Sequence, residues 1–320
     1  VDADSAITIF DGERSGTGSI INQRRVQDTA TVSRSITDFA RLNPLVQVND
    51  TDRGEITAVG QNNRFNSIQV DGINLNDQFG LEANGFSAIR NPISIDTIEE
   101  FSVDIAPYDV RRSGFTGAAI NAVTKSGTNE FQGTAYYYFT DDSFRADNPN
   151  TGIGEPFEET TYGVTFGGPI IKDKLFFFLN YEKFDREAQA DNPGFIPDAA
   201  DVARIVARSQ ALGFDPGTFE SISATQEEEK ILAKIDWNIS DRHRLSVRYD
   251  TNEGQQPDFG EYTDFSSSRP ETALSSHFFT DSREVQTIVG ELNSIWTDNL
   301  QSQIRYGNTQ GSDLGRCPLP

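Results

Sequence analysis

Side chains that could do covalent or redox chemistry are few in this sequence and poorly spaced for it. Among 320 residues there are two histidines, His243 and His277, and one cysteine, Cys317. A single thiol excludes an internal disulfide and a cysteine-built zinc site, and two histidines make a poor metal centre. No glycine-rich phosphate loop of Walker type and no G-x-S-x-G turn occurs. The acidic runs Asp141-Asp142 and Glu227-Glu228-Glu229 could suggest calcium or carboxylate catalysis. Neither has the spacing of an EF-hand loop, and solvated charge accounts for both. The expectation is a protein that is not an enzyme, with no cofactor and no metal site.

What remains is charge and turn chemistry. Lys and Arg number 27 against 49 Asp and Glu, a formal net charge of -22. Such a field repels phosphate backbones, so a nucleic-acid partner is not expected. It suits cationic or metal-chelate ligands, or simply a solvated surface. Arg111 and Arg112 stand together as basic residues in this acidic chain. Asp71-Gly72 ends an alternating segment with turn residues, the glycine allowing positive φ. Gly114 and Gly117 let the backbone turn sharply or approach a wall closely.

The elements that must position these residues change character near residue 126. Before it the chain reads as short, mixed α+β elements. Residues 37–42 suggest a short helix stopped by Asn43-Pro44, while 67–71, 100–105 and 118–124 suggest strands. Beyond residue 130 strand and gap repeat, with strands expected at 131–141, 159–168, 174–187, 227–239, 243–253, 283–297 and 300–310. Several alternate cleanly: Ile231, Ala233, Ile235, Trp237 and Ile239 oppose Leu232, Lys234, Asp236 and Asn238. In one long gap Asp198 caps a helix with Val202, Ile205, Val206 and Ser209 on one stripe and Gly213 as its stop. That helix could gate a pore, touch ligand or merely pack its loop down, and the last is preferred.

The gaps alternate short and long: 168–173, 240–242 and 297–299 are short, whereas 142–158, 187–226 and 254–282 are long. Outer-membrane barrels have short turns at one end and long loops at the other, with strands of about 10 residues. No apolar run approaches the roughly 18 residues of a membrane helix, so a membrane would be crossed by strands. Tyr136–Phe139 and Phe176–Phe178 fall where aromatic girdles would lie, though strands anywhere are rich in such residues.

Four segments between Val32 and Gly133 carry a more specific signal. They are Ser33-Arg34-Ser35-Ile36-Thr37-Asp38-Phe39-Ala40-Arg41-Leu42-Asn43-Pro44, then Asn62 through Gly72 around Val70-Asp71-Gly72. Next come Ile98-Glu99-Glu100-Phe101 with Arg111-Arg112-Ser113-Gly114-Phe115-Thr116-Gly117, and last Ile120-Asn121-Ala122-Val123-Thr124-Lys125-Ser126-Gly127-Thr128-Asn129. In this order they resemble the plug of TonB-dependent receptors, specifically the Oar-like branch. Gly167-Gly168-Pro169-Ile170-Ile171-Lys172-Asp173 is similar to that family's turn between its second and third barrel strands.

The resemblance implies an α+β plug domain followed by antiparallel transmembrane β-barrel strands, in a bacterial outer membrane. It divides the chain into an N-terminal extended segment (1–31), a plug (32–126) and about seven barrel strands (127–320). Arg111 and Arg112 are then implied to meet acidic residues of the barrel wall. Val59-Gly60 stands where many siderophore and vitamin receptors have Arg-Gly, which leaves the usual buried arginine in doubt. Plug loops facing the outside put Asn49, Asp50, Asp52, Asn74, Asn76, Asp77, Gln78 and Phe79 forward as ligand contacts. The extended segment offers Ile7-Thr8-Ile9-Phe10 for strand addition to TonB. Implied partners are the TonB complex, outer-membrane lipid and an extracellular peptide, protein or glycan.

Size adds one expectation. A plug of ~125 residues is roughly 35 Å across, whereas an eight-strand barrel has a backbone radius of only about 8 Å. About 22 strands make a lumen that holds a plug, so the barrel is expected to continue past Pro320. The function read here is TonB-dependent active transport. A passive outer-membrane barrel, or a surface-binding adhesin or carbohydrate binder, is the alternative.

Overall fold

The computed structural model describes residues 17–29, 31, 34–50, 54–77, 82, 84–105, 114–146, 156–189, 198–218, 223–258, 262–264, 269–271 and 274–318. The first body starts with strand β1 (Thr17–Asn22) and helix α1 (Gln23–Asp28), followed by α2 (Ile36–Ala40). Ser35 and Asp38 close a capping box on α2, and Ile36, Phe39 and Ala40 are buried. A hairpin β2 (Val46–Asp50) and β3 (Glu55–Ala58) precedes β4 (Ser67–Val70), β5 (Ile73–Asn74), β6 (Ile98–Ile105) and β7 (Ala118–Thr124). The main sheet has the order β1-β6-β7-β4-β5, with β4 parallel to β7.

This sheet starts earlier than the expected plug boundary at residue 32. All six residues of β1 pair with β6, so 17–28 is plug rather than extended preface. Ile21 is buried against the same core as Phe101 and Val103. The polar stretch around it, Thr17-Gly18-Ser19 and Asn22, hides that burial in the sequence.

The second body is one antiparallel sheet of seven strands in chain order: β8 (Gln132–Asp141), β9 (Phe157–Ile171), β10 (Leu175–Gln189), β11 (Ser223–Ser240), β12 (His243–Asp258), then, beyond a small β13–β14 hairpin (Tyr262–Asp264 and Arg269–Glu271), β15 (Phe279–Thr297) and β16 (Leu300–Pro318). Short turns all lie at one end and the long connections at the other. Most strands outrun their expected lengths, and β16 continues to Pro318, past its expected end at 310. Alternation marks only the stretch with one apolar face. The hydrogen-bond ladder continues into polar segments such as Glu227–Glu229 opposite Glu253–Gln255.

The sheet is inside-out for a soluble protein. Val164, Phe166, Leu179, Ile231, Ile235, Val247 and Ile288 are exposed, while Asn180, Glu182, Lys230, Lys234, Arg248 and Asp250 are buried against the first body. An apolar outer face and a polar inner face are what a strand wall between lipid and lumen requires. The aromatic expectation divides. Tyr137 and Phe139 point outward, but Tyr136 hydrogen-bonds inward and Phe178 joins the plug core.

Helix α3 (Ala199–Ala211) forms with the expected Asp198 cap and a positive-φ Gly213. None of its residues is buried, so it does not pack its loop down firmly.

Both tryptophans, Trp237 and Trp296, stand half exposed close to the short turns. At a membrane interface they should be quenched more by lipids spin-labelled near the headgroup than near the acyl terminus. Stronger quenching from the deep label would contradict this placement.

Candidate functional site: plug against barrel wall

Three groups of side chains fix the plug to the strands. The first gathers on the buried segment Asn91–Ile95. Asn91 accepts from the Ile36 amide and Ser35 hydroxyl of α2 (both 3.0 Å) and donates to the Arg34 carbonyl (2.8 Å). Its own carbonyl accepts from Asn252 of β12 (2.8 Å). Ser94 and Tyr136 each donate to Glu182 Oε2 at 2.7 Å. Lys230 Nζ bridges Glu182 (3.1 Å) and Glu228 (2.8 Å), which face it from β10 and from its own strand.

Two plug arginines complete this group. Arg34 pairs with Asp96, approaches Glu182 to 3.9 Å and lies over the Tyr138 ring at 4.1 Å. Burial lowers the Arg34 pKa, but Asp96 and Glu182 outweigh it and raise it above the usual value. Arg90 sits 3.5 Å over the Phe184 ring and 3.9 Å from Glu228.

The second group centres on Asp71. The β4–β5 turn holds Asp71 at φ 50° and Gly72 at φ 74°, the left-handed pair that a tight hairpin needs. Asp71 Oδ1 accepts the Thr124 amide (2.9 Å), and Oδ2 accepts the Thr124 hydroxyl (2.7 Å) and Arg248 of β12. Arg248 also donates to Asp250 (2.8 Å). Lys234 of β11 donates to the Thr124 carbonyl (3.0 Å) and hydroxyl (3.1 Å). Burial pushes the Asp71 carboxyl up, yet Arg248, Lys234 and Thr124 together hold it below its usual value. Gly72 lies so close to Arg305 that an added Cβ would stand 2.0 Å from its guanidinium. The third group is a single pair, Glu82 with Arg283 of β15 (2.6 Å).

The linker 125–131 is fixed as well. Asn129 exchanges hydrogen bonds with Asp173 in the first short turn (2.6 and 2.8 Å). A side chain at Gly127 would meet the Phe177 carbonyl at 2.3 Å. These contacts account for the glycine at 127 and the asparagine at 129. Between the linker, the Asp71 turn and the inner face of β11, β12, β15 and β16 is a cavity of about 780 Å³.

The expected site residues distribute unevenly. Asn76 is half-buried and its amide locks the plug, accepting from Ile68 N (2.8 Å) and donating to the Asn66 carbonyl (2.9 Å). Asn74 accepts from the Asn76 amide, and Asp77 from the Glu82 amide. Asn49 and Asp50 end β2. Gly117 packs against Asn66, where a Cβ would meet Oδ1 at 2.3 Å, and Gly114 has φ 85° with open space beside it. Asp52, Gln78, Phe79, Arg111, Arg112 and Ile7–Phe10 lie outside the described residues. Sequence reasoning placed the plug–wall ion pair at the arginines and read Asp71 only as a turn. Among the described residues the plug's charged wall contacts include those of Asp71, Arg34, Arg90 and Glu82. The available signal was charge on the inner parity of strands, as in Lys234, Arg248 and Asp250.

Comparison with known proteins fits this geometry. A family profile described as an outer membrane beta barrel domain matches residues 123–219. TonB-dependent transporter Oar of Myxococcus xanthus is 26% identical over 226 residues, 67% of this chain and 20% of that protein. The outer membrane transporter YddB from Escherichia coli superposes with a TM-score of 0.65 at 13% identity, over 91% of this chain and 38% of that one. The ferric enterobactin receptor PfeA from Pseudomonas aeruginosa gives 0.59 at 15% identity, over 95% and 42%. This chain thus spans a fifth of the curated relative and about two fifths of the solved structures. With a plug strapped inside an inside-out sheet, the chain is similar in sequence and fold to TonB-dependent transporters of the Oar-like branch, and its strands are those of a bacterial outer-membrane β-barrel.

Proposed function

We propose that this chain serves TonB-driven import across the outer membrane of a ligand too large for porins. The observation that supports it best is the plug itself, held to the wall by charge-assisted bonds rather than by a continuous apolar seam. Among the described residues, only Phe178 and Leu232 of the wall join the plug's buried apolar cluster. Ionic contacts can exchange for water when a plug shifts, whereas an apolar core resists parting. Ligand is received from the long-loop side, with Asn49, Asp50, Asp52, Asn74, Asn76, Asp77, Gln78 and Phe79 as contacts and Arg111 and Arg112 as further wall contacts. Ile7-Thr8-Ile9-Phe10 in the N-terminal segment is the stretch offered to TonB for strand addition, and a peptide, protein or glycan is the favoured cargo.

Uptake of a fluorescein-labelled peptide digest by cells making the protein tests this reading. Uptake should fall about tenfold with a protonophore, and comparably with Ile9→Pro, which removes a backbone donor needed for strand addition. Uptake that is indifferent to both would leave the passive barrel.

A further inference from the structure

We propose that the Asp71–Gly72 turn is a gate over the 780 Å³ cavity, held shut by Arg248 on the barrel wall, so that passage opens on the β12–β16 side of the plug. The proposal rests on the import reading. Its geometry does not depend on the cargo.

The cavity adjoins the short-turn end of the strands. Asn238, Arg244, Asn293 and Gln303 line it within a few residues of those turns, and the Asp71 turn bounds it on the plug side. Its lining is mostly amide and charged groups, so water can follow a polar solute through it. What closes it is small. β5 is an edge strand of two residues with only two partners in β4, Gln69↔Asn74 and Val70↔Ile73. Moving the turn therefore breaks far fewer ladder bonds than moving β6 or β7 would.

The wall side is built to hold and release. Arg248 is 1% exposed and gives Nε to Asp250 and Nη1 to Asp71, while its buried Nη2 has no partner among the described residues. A buried guanidinium with one bare nitrogen gains hydration when the turn lifts, which offsets part of the lost ion pair. Asp250 stays behind as its counter-ion, so no lone buried charge is stranded on the wall. Gly72 has no side chain to clash with Arg305 as the turn seats. The gate is thus a charged latch on a short edge of the plug, whose other ties to β7 are the Asp71 amide to the Ala122 carbonyl (2.8 Å), the Gly72 amide to Asn121 Oδ1 (3.2 Å) and the two Thr124 bonds.

The test is passive vancomycin influx into a Gram-negative host carrying the protein, scored as growth inhibition. Arg248→Ala and Asp71→Asn should each raise influx about tenfold, the population shift expected for losing one charge-assisted contact. Arg34→Ala, at the β8–β10 side, should raise it much less. Heat-modifiable migration reports whether each variant is folded. Should Arg248→Ala fail to insert, the near-isosteric Asp71→Asn carries the result. Tight membranes with folded Asp71→Asn, or equal leakage from Arg34→Ala, would overturn the gate. Vancomycin leakage does not require TonB, so a wild type whose peptide uptake ignores TonB would refute import while leaving the gate standing.

Discussion

Replacing Lys230 with alanine is expected to destabilise the plugged structure by about 3–5 kcal/mol, because it leaves two buried carboxylates without their shared cation. The Lys230 side chain is 5% exposed and lies 3.1 Å from Glu182 and 2.8 Å from Glu228. Those carboxylates are themselves 7% and 0% exposed. The next cations, Arg34 and Arg90, stand at 3.9 Å, beyond hydrogen-bond reach. Urea unfolding of the protein in lipid vesicles, followed by tryptophan emission, gives the midpoint and slope. A lower midpoint at unchanged slope is the expected result.

The same principle sets a sharper condition. A buried ion cluster costs desolvation on every member, so replacing the whole cluster by neutral groups is far milder than removing one. Lys230→Met combined with Glu182→Gln and Glu228→Gln should recover most of the loss. Glu182→Gln can still accept from Ser94 and Tyr136, which now hold it at 2.7 Å each. If Lys230→Ala costs less than about 1 kcal/mol, the cluster is hydrated and not the buried bridge described.

How much of this was legible in the sequence depends on which force decides each feature. The strands of the wall were, since lipid on one side imposes a strict alternation such as Ile231 to Ile239. The lengths were not: Glu227–Glu229 and Ser312–Cys317 pair only because the neighbouring strand offers its backbone, which no side-chain pattern announces. β1 was missed for a related reason, its only apolar residues, Ile20 and Ile21, being bounded by Thr17-Gly18-Ser19 and Asn22. The motif around Asp71-Gly72 could be read as a turn because φ preference is local. Its bond to Arg248 spans 177 positions and depends on how the plug sits in the lumen. Inner-face charge on β11 and β12 was visible as polarity, but polarity alone does not say which lysine meets a plug carbonyl.

Asp71 and Arg248 should therefore behave as one unit, and exchange of the Thr124 amide is the place to see it. That amide donates to Asp71 Oδ1 at 2.9 Å, so it opens when the turn leaves the wall. Asp71→Asn and Arg248→Ala should each lower protection by about 1.5–3 kcal/mol, the range for a hydrogen bond to a charged group. Together they should lower it little further, since each removes the same contact. The pH dependence has a fixed sign. Asp71 sits below its ordinary value of 3.8 when the plug is seated, so its contribution is complete above that value and is lost as pH falls through the lower, folded one. Protection corrected for intrinsic exchange should then stay level from pH 7 to about 4.5 and fall only in stronger acid. Additive effects of the two substitutions would mean that Thr124 is shielded by something other than this pair.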